Sequence, residues 1–288
     1  MSNSHAVFVA GDRVQLSDQK GRKHTVVLEP SKSFHTNHGA ISHDEIIGKP
    51  EGSIVTSTGN YVYLALRPLL TDFVLSMPRG AAVVYPKDAA AIVGFADIYP
   101  GATVVEAGVG SGALSCSLLR AIGETGQLHS YERRDDFAEI AQRNVTNFFG
   151  SRPSNWTVTV GSLQDELIHL EPASVDRVVL DMLSPWECVP SVTRVTRPGG
   201  VLMVYVATTT QMSQTVESIR ETKNWTDPVG QELIQRTWHV EGLAVRPSHK
   251  MQGHTGFLIQ ARRLADGTVL PPRRIRPAKG MSEQDLEN

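Results

Sequence analysis

The pattern of hydrophobic and polar positions changes once along the chain. Up to about residue 66, short apolar runs alternate with turn-forming residues, as between Arg13 and Leu28 around a turn at Asp18–Gly21. This alternation is typical of short antiparallel strands and predicts a small N-terminal β domain. From about residue 86, apolar strands alternate with helical segments, which predicts a mostly parallel sheet covered by helices on both faces.

The second part of the chain contains seven candidate strands. They are expected at Thr103–Ala107, Gln127–Glu132, Trp156–Val160, Val175–Asp181, Val201–Val206, Trp238–Val245 and Thr255–Leu264. Because a loop rather than a helix separates the last two, we expect these two to form a hairpin with one antiparallel strand. The chain is therefore divided into an N-terminal β domain (1–66), a linker with a helix (67–85), an α/β domain (86–270) and a flexible tail (271–288).

Composition narrows the functional classes. The formal net charge is −2, so the chain lacks the strongly basic balance of many nucleic-acid-binding proteins. Any contact with RNA must therefore come from local basic patches. The alternative is that these patches are only solvated and bind no RNA. One such patch comprises Arg262, Arg263, Arg273, Arg274, Arg276 and Lys279. Because the sequence has neither an apolar run of membrane-spanning length nor a secretory signal, we expect a cytoplasmic protein without a membrane span.

Cysteine and histidine usage argues against a disulfide framework and against metal chemistry. Cys116 and Cys188 lie in apolar surroundings and are expected to be buried and reduced. His249 and His254 share one loop, but no third ligand accompanies them, so we expect no metal site. Basic residues of that loop could bind phosphate if the preceding strand runs parallel to the sheet; a plain hairpin connection is the alternative.

A glycine-rich turn between Val104 and Leu114 is the most informative segment. An apolar strand runs into the turn, and a helix follows. Glycines let a ligand approach the backbone closely, and the helix N-terminus presents free N–H groups. Glu132 ends the next strand, where a carboxylate can accept hydrogen bonds from both hydroxyls of a ribose. The segment therefore predicts a site for a nucleoside-containing cofactor.

Two cofactors fit the spacing of this turn. The dinucleotide pattern G-x-G-x-x-G/A is matched by Gly108, Gly110 and Ala113. The pattern E-x-G-x-G-x-G, expected for S-adenosyl-L-methionine, is matched in full by Glu106, Gly108, Gly110 and Gly112. S-adenosylmethionine has no pyrophosphate, so its site needs a close-lying backbone rather than a phosphate cradle. The segment Pro198–Leu202 and the terminal strands resemble class I methyltransferases, which favours the second cofactor.

Asp181 is the candidate catalytic residue. It ends the apolar strand Val175–Asp181, and in an open parallel sheet that end faces the ligand crevice. Pro185 and Trp186 follow and could form an apolar wall against which a flat base lies. The alternative is that Asp181 only caps the next helix.

These motifs together resemble those of the tRNA (adenine(58)-N(1))-methyltransferases, with the actinobacterial branch as the nearest match. The resemblance covers nearly the whole chain. It is carried by Phe34–Gly39, Leu64–Met77, Tyr85–Asp88, Glu106–Leu114, Tyr131–Glu132, Asp181–Trp186, Tyr205–Val206 and Arg246–Phe257. It implies a Rossmann-like class I methyltransferase with a mostly parallel seven-stranded sheet and a small N-terminal β domain. It also implies a homotetramer that methylates N1 of an adenine in the T-loop of tRNA.

The resemblance also implies roles for individual residues. Asp181 lies beside the methyl donor and the target adenine, and Tyr85 and Tyr205 contact the flipped base or its surroundings. Ser162 stands where many methyltransferases have an Asp or Asn that binds the cofactor adenine. The residues expected to bind the cofactor are Glu106, Gly108, Gly110, Ser111, Gly112, Ala113, Leu114, Glu132, Ser162, Leu163 and Asp181.

Two other functions remain as alternatives. A protein carboxyl methyltransferase of the isoaspartate-repair type has a similar glycine turn, but the segment Asp181–Trp186 and the N-terminal β domain argue against it. A non-catalytic RNA-binding subunit would be expected to have degraded cofactor motifs. The intact Glu106–Leu114, Glu132 and Asp181 argue against that second alternative.

Overall fold

The N-terminal part of the chain forms the antiparallel β region that its turn signals predict. In this computed structural model, which describes residues 6–80 and 82–271, six strands precede the first α-helix. They are β1 (Arg13–Asp18), β2 (Lys23–Val27), β3 (Ser33–Thr36), β4 (Gly39–Ser42), β5 (Ser53–Thr56) and β6 (Val62–Leu66). Four of them form one sheet in the order β2-β1-β6-β5, while β3 and β4 form a separate hairpin that the sequence pattern did not predict.

The linker after β6 contains a short helix, α1 (Leu70–Ser76). It is tied to the N-terminal sheet by an ion pair of 2.7 Å between Lys23 Nζ and Asp72 Oδ1. The Arg13 guanidinium also lies 5.2 Å from the centre of the Phe73 ring. The N-terminal region is therefore anchored to the first helix through side chains of β1 and β2.

The remaining elements form the predicted α/β arrangement. The helices are α2 (Pro86–Phe95), α3 (Ala113–Ile122), α4 (Asp135–Phe149), α5 (Leu163–Glu166), α6 (Val189–Val195) and α7 (Thr209–Glu221). The strands are β7 (Thr103–Ala107), β8 (Gln127–Glu132), β9 (Trp156–Val160), β10 (Val175–Asp181), β11 (Thr196–Val206), β12 (Val229–Glu232), β13 (Trp238–Glu241), β14 (Ala244–Pro247) and β15 (Phe257–Arg262). Seven of these strands form one sheet in the order β12-β15-β11-β10-β7-β8-β9. The predicted seven-stranded sheet is therefore confirmed.

The sheet is apolar on both faces because helices cover both. Val105, Val178 and Leu202 belong to one buried cluster, and Val104 and Met203 to the cluster on the other face. Successive residues of a strand point to opposite faces, so an unbroken apolar run fills two cores at once. Cys116 and Cys188 are both free and buried, as expected. In the described part of the chain, no helix has the length and apolarity needed to cross a membrane.

The strand order places a crevice at the ends of β7 and β10. These strands are adjacent and parallel, yet the chain leaves β7 toward β8 and leaves β10 in the opposite direction, toward β11. Connections that leave neighbouring strands in opposite directions open a cleft at their carboxyl ends, where ligands bind in such sheets. The glycine turn after β7 and Asp181 at the end of β10 both lie at this cleft.

The predicted hairpin between Trp238–Val245 and Thr255–Leu264 was wrong. β15 is antiparallel to β11, as predicted for one terminal strand, but its other partner is β12. The segment predicted as one strand is instead a two-stranded ribbon of β13 and β14, which forms its own sheet within the described residues. Gly242, with a φ of +53°, lies in the turn that breaks it. The sequence pattern missed β12 because it is four residues long and mostly exposed.

Candidate active site

The glycine turn is shaped by contacts with the neighbouring strand. Gly108 has a φ of +82°, a conformation that glycine adopts without strain. A Cβ at this position would collide with the backbone carbonyl oxygen of Asp181. Gly112 serves a different contact, since a Cβ there would lie 3.1 Å from the carbonyl oxygen of Ala141 in α4. The glycines therefore bring the turn against the end of β10 and α3 against α4.

Glu132 faces the same turn from the end of β8. Its Oε2 accepts a hydrogen bond of 2.9 Å from the backbone N–H of Gly110, and its Oε1 accepts one of 3.1 Å from the N–H of Arg134. The residue is 9% exposed. A carboxylate oxygen can accept two hydrogen bonds, so each oxygen keeps capacity for a ligand hydroxyl.

Glu106 is buried beneath the turn and connects the elements around it. It has no exposed surface, and its Oε2 accepts hydrogen bonds from Ser115 of α3 at 2.7 Å and from Ser130 of β8 at 2.6 Å. Burial raises its pKa to about 7. Its Oε1 has no hydrogen-bond partner within the described residues. These contacts join β7, β8 and α3 below the turn.

A connecting segment covers the glycine turn from the other side. The Gly80 N–H donates a hydrogen bond of 3.3 Å to Ser111 Oγ. The Asn144 amide donates bonds of 2.9 Å to the carbonyl oxygens of Pro78 and Ser111. A small cavity remains between the segment and the turn. It is lined by Ala82, Val83, Val84, Gly108, Val109, Gly110, Ser111, Ala113, Leu114 and Asp181.

Asp181 carries a carboxylate that the protein leaves open. Its side chain is half-buried at the carboxyl end of β10. No hydrogen bond or ion pair engages this carboxylate from residues 6–80 or 82–271. Burial, with a smaller contribution from the charge of Glu132, raises the pKa of Asp181 to about 7. An acid kept without a partner at a ligand cleft is available to a substrate.

Tyr205 lies next to Asp181 across the β10–β11 register. Its hydroxyl donates a hydrogen bond of 2.8 Å to the carbonyl oxygen of Thr255, and the side chain is 9% exposed. Burial and the neighbouring charge of Asp88 raise the pKa of this phenol, so it stays neutral. Tyr85 is half-buried and immediately precedes Pro86, the first residue of α2.

Ser162 is engaged with a neighbour in its own loop. Its hydroxyl donates a hydrogen bond of 2.7 Å to Gln164 Oε1, which also accepts a longer bond of 3.4 Å from the Arg133 guanidinium. Leu163, which follows, is buried. The hydroxyl oxygen of Ser162 keeps a lone pair for a donor such as the adenine amine.

The side of the cleft formed by the ends of β10, β11, β12 and β15, called the acceptor side below, has further apolar walls and one hydrogen-bond network that no sequence motif indicates. Pro185 is buried and Trp186 half-buried in the turn after Asp181. This network centres on Lys87 and His254, which lie inside the motif segments Tyr85–Asp88 and Arg246–Phe257. His254 contacts Glu232, and the described residues contain no group of three or more metal-ligating side chains.

Two stretches of the chain match known families. Residues 7–55 match a family described as TrmI-like N-terminal, and residues 60–245 match one described as tRNA methyltransferase complex GCD14 subunit. The tRNA (adenine(58)-N(1))-methyltransferase TrmI of Thermus thermophilus is 34% identical over 248 residues, which are 86% of this chain and 95% of that protein. The tRNA (adenine(57)-N(1)/adenine(58)-N(1))-methyltransferase TrmI of Methanocaldococcus jannaschii is 29% identical and covers 86% of this chain and 93% of its own length.

Solved structures of methyltransferases align with most of this chain. A SAM-dependent O-methyltransferase from Thermotoga maritima aligns with a TM-score of 0.86 at 28% identity, over 93% of this chain and 98% of that chain. A TrmI tRNA methyltransferase from Aquifex aeolicus aligns with a TM-score of 0.79 at 24% identity, over 90% and 99%. The second likeness is evidence for the fold. Because the family model covers residues 60–245, which are more than half of the chain, this chain belongs to the family described as tRNA methyltransferase complex GCD14 subunit.

Proposed function

We propose that this chain transfers the methyl group of S-adenosylmethionine to N1 of adenine 58 in the T-loop of tRNA. The observation that carries the proposal is the open carboxylate of Asp181 beside the glycine turn, in a chain of this family. The names of the Thermus and Methanocaldococcus relatives support the same substrate and the same ring atom.

The residues around the turn fit S-adenosylmethionine. Glu132 keeps acceptor capacity for the ribose hydroxyls while it anchors the turn through Gly110. Ser162 would accept a hydrogen bond from the adenine amine, and the backbone from Gly108 to Leu114 would lie along the amino-acid part. Glu106 would act indirectly, because its contacts with Ser115 and Ser130 hold the turn rather than a ligand. When bound, this cofactor supplies a methyl group on a positively charged sulfonium.

The methyl transfer depends more on alignment of the reacting atoms than on a general base. Adenine N1 carries a lone pair, so it attacks without prior deprotonation, and the main task is to hold it in line with the methyl group. Methylation at N1 leaves positive charge on the ring. In this proposal the ionised Asp181 accepts a hydrogen bond from the exocyclic amine, orients the base and stabilises the growing charge.

The target base must leave its place in the tRNA before it can react. N1 is engaged in the folded RNA, so the enzyme extrudes the nucleotide into a pocket, as base-modifying enzymes do. Trp186, Tyr205 and Tyr85 would form the walls of that pocket, with the flat rings stacking on the base. The hydroxyl of Tyr205 is already bonded to Thr255, so its role would be packing rather than proton transfer.

A homo-oligomer, as the resemblance implies, is part of the proposal. Directly opposed residues of an antiparallel pair share a face, so one face of the β13–β14 ribbon carries Trp238, Val240, Val245 and Pro247. Trp238, Val240 and Val245 are each more than half exposed. Apolar surface of this kind marks protein contacts. We expect copies of this chain to cover it in a tetramer, and tRNA to bind across more than one subunit.

The decisive experiment maps the methylated atom. The chain is incubated with labelled S-adenosylmethionine and one of three acceptors: an unmodified tRNA transcript, the same transcript with uridine at position 58, or an isoaspartyl peptide. We expect label only in the first, recovered as 1-methyladenosine. Label in the peptide would favour the carboxyl methyltransferase, and tRNA binding without transfer would favour the non-catalytic subunit. The cytoplasmic location remains a prediction.

A further inference from the structure

A largely buried lysine joins three chain segments at the acceptor side of the cleft. The Lys87 amino group donates hydrogen bonds to Asp88 Oδ1 at 2.7 Å, to the Leu233 carbonyl oxygen at 2.8 Å and to Thr255 Oγ1 at 2.6 Å. The side chains of Lys87 and Asp88 are 11% and 0% exposed. A lysine ammonium has three N–H donors, so all of them are used. Lys87 thereby ties the start of α2 to the chain after β12 and to the chain before β15.

The segment that Lys87 holds in turn fixes Tyr205. The Thr255 carbonyl oxygen accepts the Tyr205 hydroxyl hydrogen bond. The next residue, Gly256, lies so close that a Cβ there would be 2.5 Å from the phenol ring. Tyr205 is therefore positioned at its hydroxyl by Thr255 and at the adjoining ring atoms by Gly256. Since Tyr205 is the register neighbour of Asp181, this segment shapes the wall beside the open carboxylate.

A second set of hydrogen bonds holds the residue immediately before Thr255. His254 Nδ1 lies 2.6 Å from Glu232 Oε1, and His254 Nε2 lies 2.9 Å from the Ala207 carbonyl oxygen. A carboxylate and a carbonyl are both acceptors, so both ring nitrogens donate and the imidazole is protonated in this arrangement. The Glu232 contact raises the pKa of His254 accordingly. The positive charge of Lys87 acts in the opposite direction but contributes less.

The held segment would otherwise have little support. Residues 249–256 have no regular secondary structure, and they follow a ribbon whose side chains are largely exposed. Few buried contacts are expected to make such a segment mobile. The buried Asp88 Oδ2 has no partner in the described chain, which is costly. A buried ion pair that leaves an oxygen unpartnered is more typical of a site kept for function than of one kept for stability.

We propose that Lys87 is a positioning residue for methyl transfer. By holding Thr255 and Gly256, it keeps the Tyr205 ring in place as the wall of the adenine pocket beside Asp181. Lys87 touches neither the cofactor nor the base in this proposal; it acts through residues 255 and 256. The inference rests on the proposed function, because it assigns Lys87 to the alignment of the target base.

Thr255→Val tests the proposal with the smallest disturbance. Valine has the shape of threonine but no hydroxyl, so the variant loses one bond to Lys87 while the Lys87–Asp88 ion pair remains. Thr255→Ser keeps the hydroxyl and is the matched control. We expect Thr255→Val to lower the single-turnover rate of methyl transfer to tRNA by roughly tenfold, with saturating cofactor and tRNA. Thr255→Ser should stay near the wild-type rate.

Two further measurements separate positioning from a general loss of structure. Cofactor affinity, measured by calorimetry, should be unchanged in Thr255→Val because Glu132 and the glycine turn are not altered. Amide hydrogen exchange over residues 254–258 should become faster in Thr255→Val and not in Thr255→Ser. Lys87→Met should lower the transfer rate and speed exchange over residues 254–258 more strongly than Thr255→Val does.

The outcomes are distinguishable. If Thr255→Val exchanges faster in this segment but transfers methyl at the wild-type rate, the positioning role is overturned. Unchanged exchange in both Thr255→Val and Lys87→Met would show that Lys87 does not hold residues 254–258, and the proposal would be overturned. If the wild-type chain transfers no methyl to tRNA while Thr255→Val still exchanges faster in this segment, the proposed function fails. The hold of Lys87 on Thr255 is then supported on its own.

Discussion

The two sides of the cleft are built in different ways. The cofactor side, formed by β7, α3 and β8, engages its carboxylates internally: Glu132 with backbone N–H groups and Glu106 with two serines. The acceptor side, formed by the ends of β10, β11, β12 and β15, leaves Asp181 without a partner in the described chain. It also carries the exposed β13–β14 ribbon.

This difference follows from what each side has to bind. The cofactor is a small molecule of constant shape, so its site can be completed by short-range contacts before binding. In the proposed function the acceptor side admits one base of a large RNA, and an open carboxylate with walls held from outside the pocket suits that task. Tyr205 illustrates this, since Thr255 and Gly256 position it from the far side.

The largest effect is expected from removing the charge of Asp181. Asp181→Asn keeps the shape of the side chain but cannot stabilise positive charge on the methylated ring. The single-turnover rate should fall by roughly 10²–10³-fold, the range for one electrostatic contact, while tRNA affinity changes little. Glu187→Gln, at an exposed acid six residues further on, is the matched control. An Asn variant that transfers methyl at nearly the wild-type rate would reduce Asp181 to a structural role.

On the cofactor side, Glu132→Ala should weaken binding rather than chemistry. The lost charge-assisted bonds to ribose are worth roughly 1.5–3 kcal/mol, about tenfold or more in the dissociation constant of S-adenosylmethionine. Calorimetry on a variant with an unchanged melting profile measures this. The single-turnover rate at saturating cofactor should fall much less than in Asp181→Asn. Equal cofactor affinity in the folded variant would remove Glu132 from the site.

The pH dependence of the reaction tests the acceptor side directly. The pKa of Asp181 is raised to about 7, and the ionised form is required, so kcat/KM should rise with pH and level off above about 7. A bound sulfonium favours the carboxylate, so the rise in kcat should lie at lower pH. Below each pKa the rate should fall about tenfold per pH unit, and this limb should be absent in Asp181→Asn.

The same shift has a consequence for stability. An Asp whose pKa is raised on folding binds more protons in the native state than in the unfolded state between about pH 4 and pH 7. The contribution of Asp181 to the free energy of unfolding therefore decreases as pH rises through that window. At pH 8 the Asn variant should melt no lower than the wild type, and a clearly lower melting temperature would contradict the pKa assignment.

The smallest effect is expected from the ribbon. Val240→Asp places a charge on its apolar face and should produce a smaller assembly, measured by light scattering, with a few-fold weaker and less salt-dependent tRNA binding. Glu241→Gln, on the opposite face of the ribbon, should leave the assembly intact. A variant with fewer subunits that binds tRNA as tightly as the wild type would argue against binding across subunits.

Strong local signals were sufficient to predict most of the cofactor side. The expected bounds of the strands at Thr103–Ala107, Gln127–Glu132, Trp156–Val160 and Val175–Asp181 agree with the structure. Each of these strands is a short segment bounded by turn residues, and such signals are set by neighbouring residues in the sequence. The assignment of individual cofactor and base contacts stays a prediction, and so do the domain boundaries. Most of the predicted basic tail and flexible segment, residues 272–288, lies outside the described residues.

The acceptor side could not be predicted in the same way because its partners are distant in sequence. The sequence by itself determined the α/β fold, the glycine turn and the acid at the end of β10, because period and spacing are local properties. Only the tertiary structure decided that β12, rather than Trp238–Val245, pairs with β15. It also decided that Lys87 meets Thr255, 168 residues away. Strand partners and buried ion pairs depend on which segments folding brings together, and no local pattern encodes that choice.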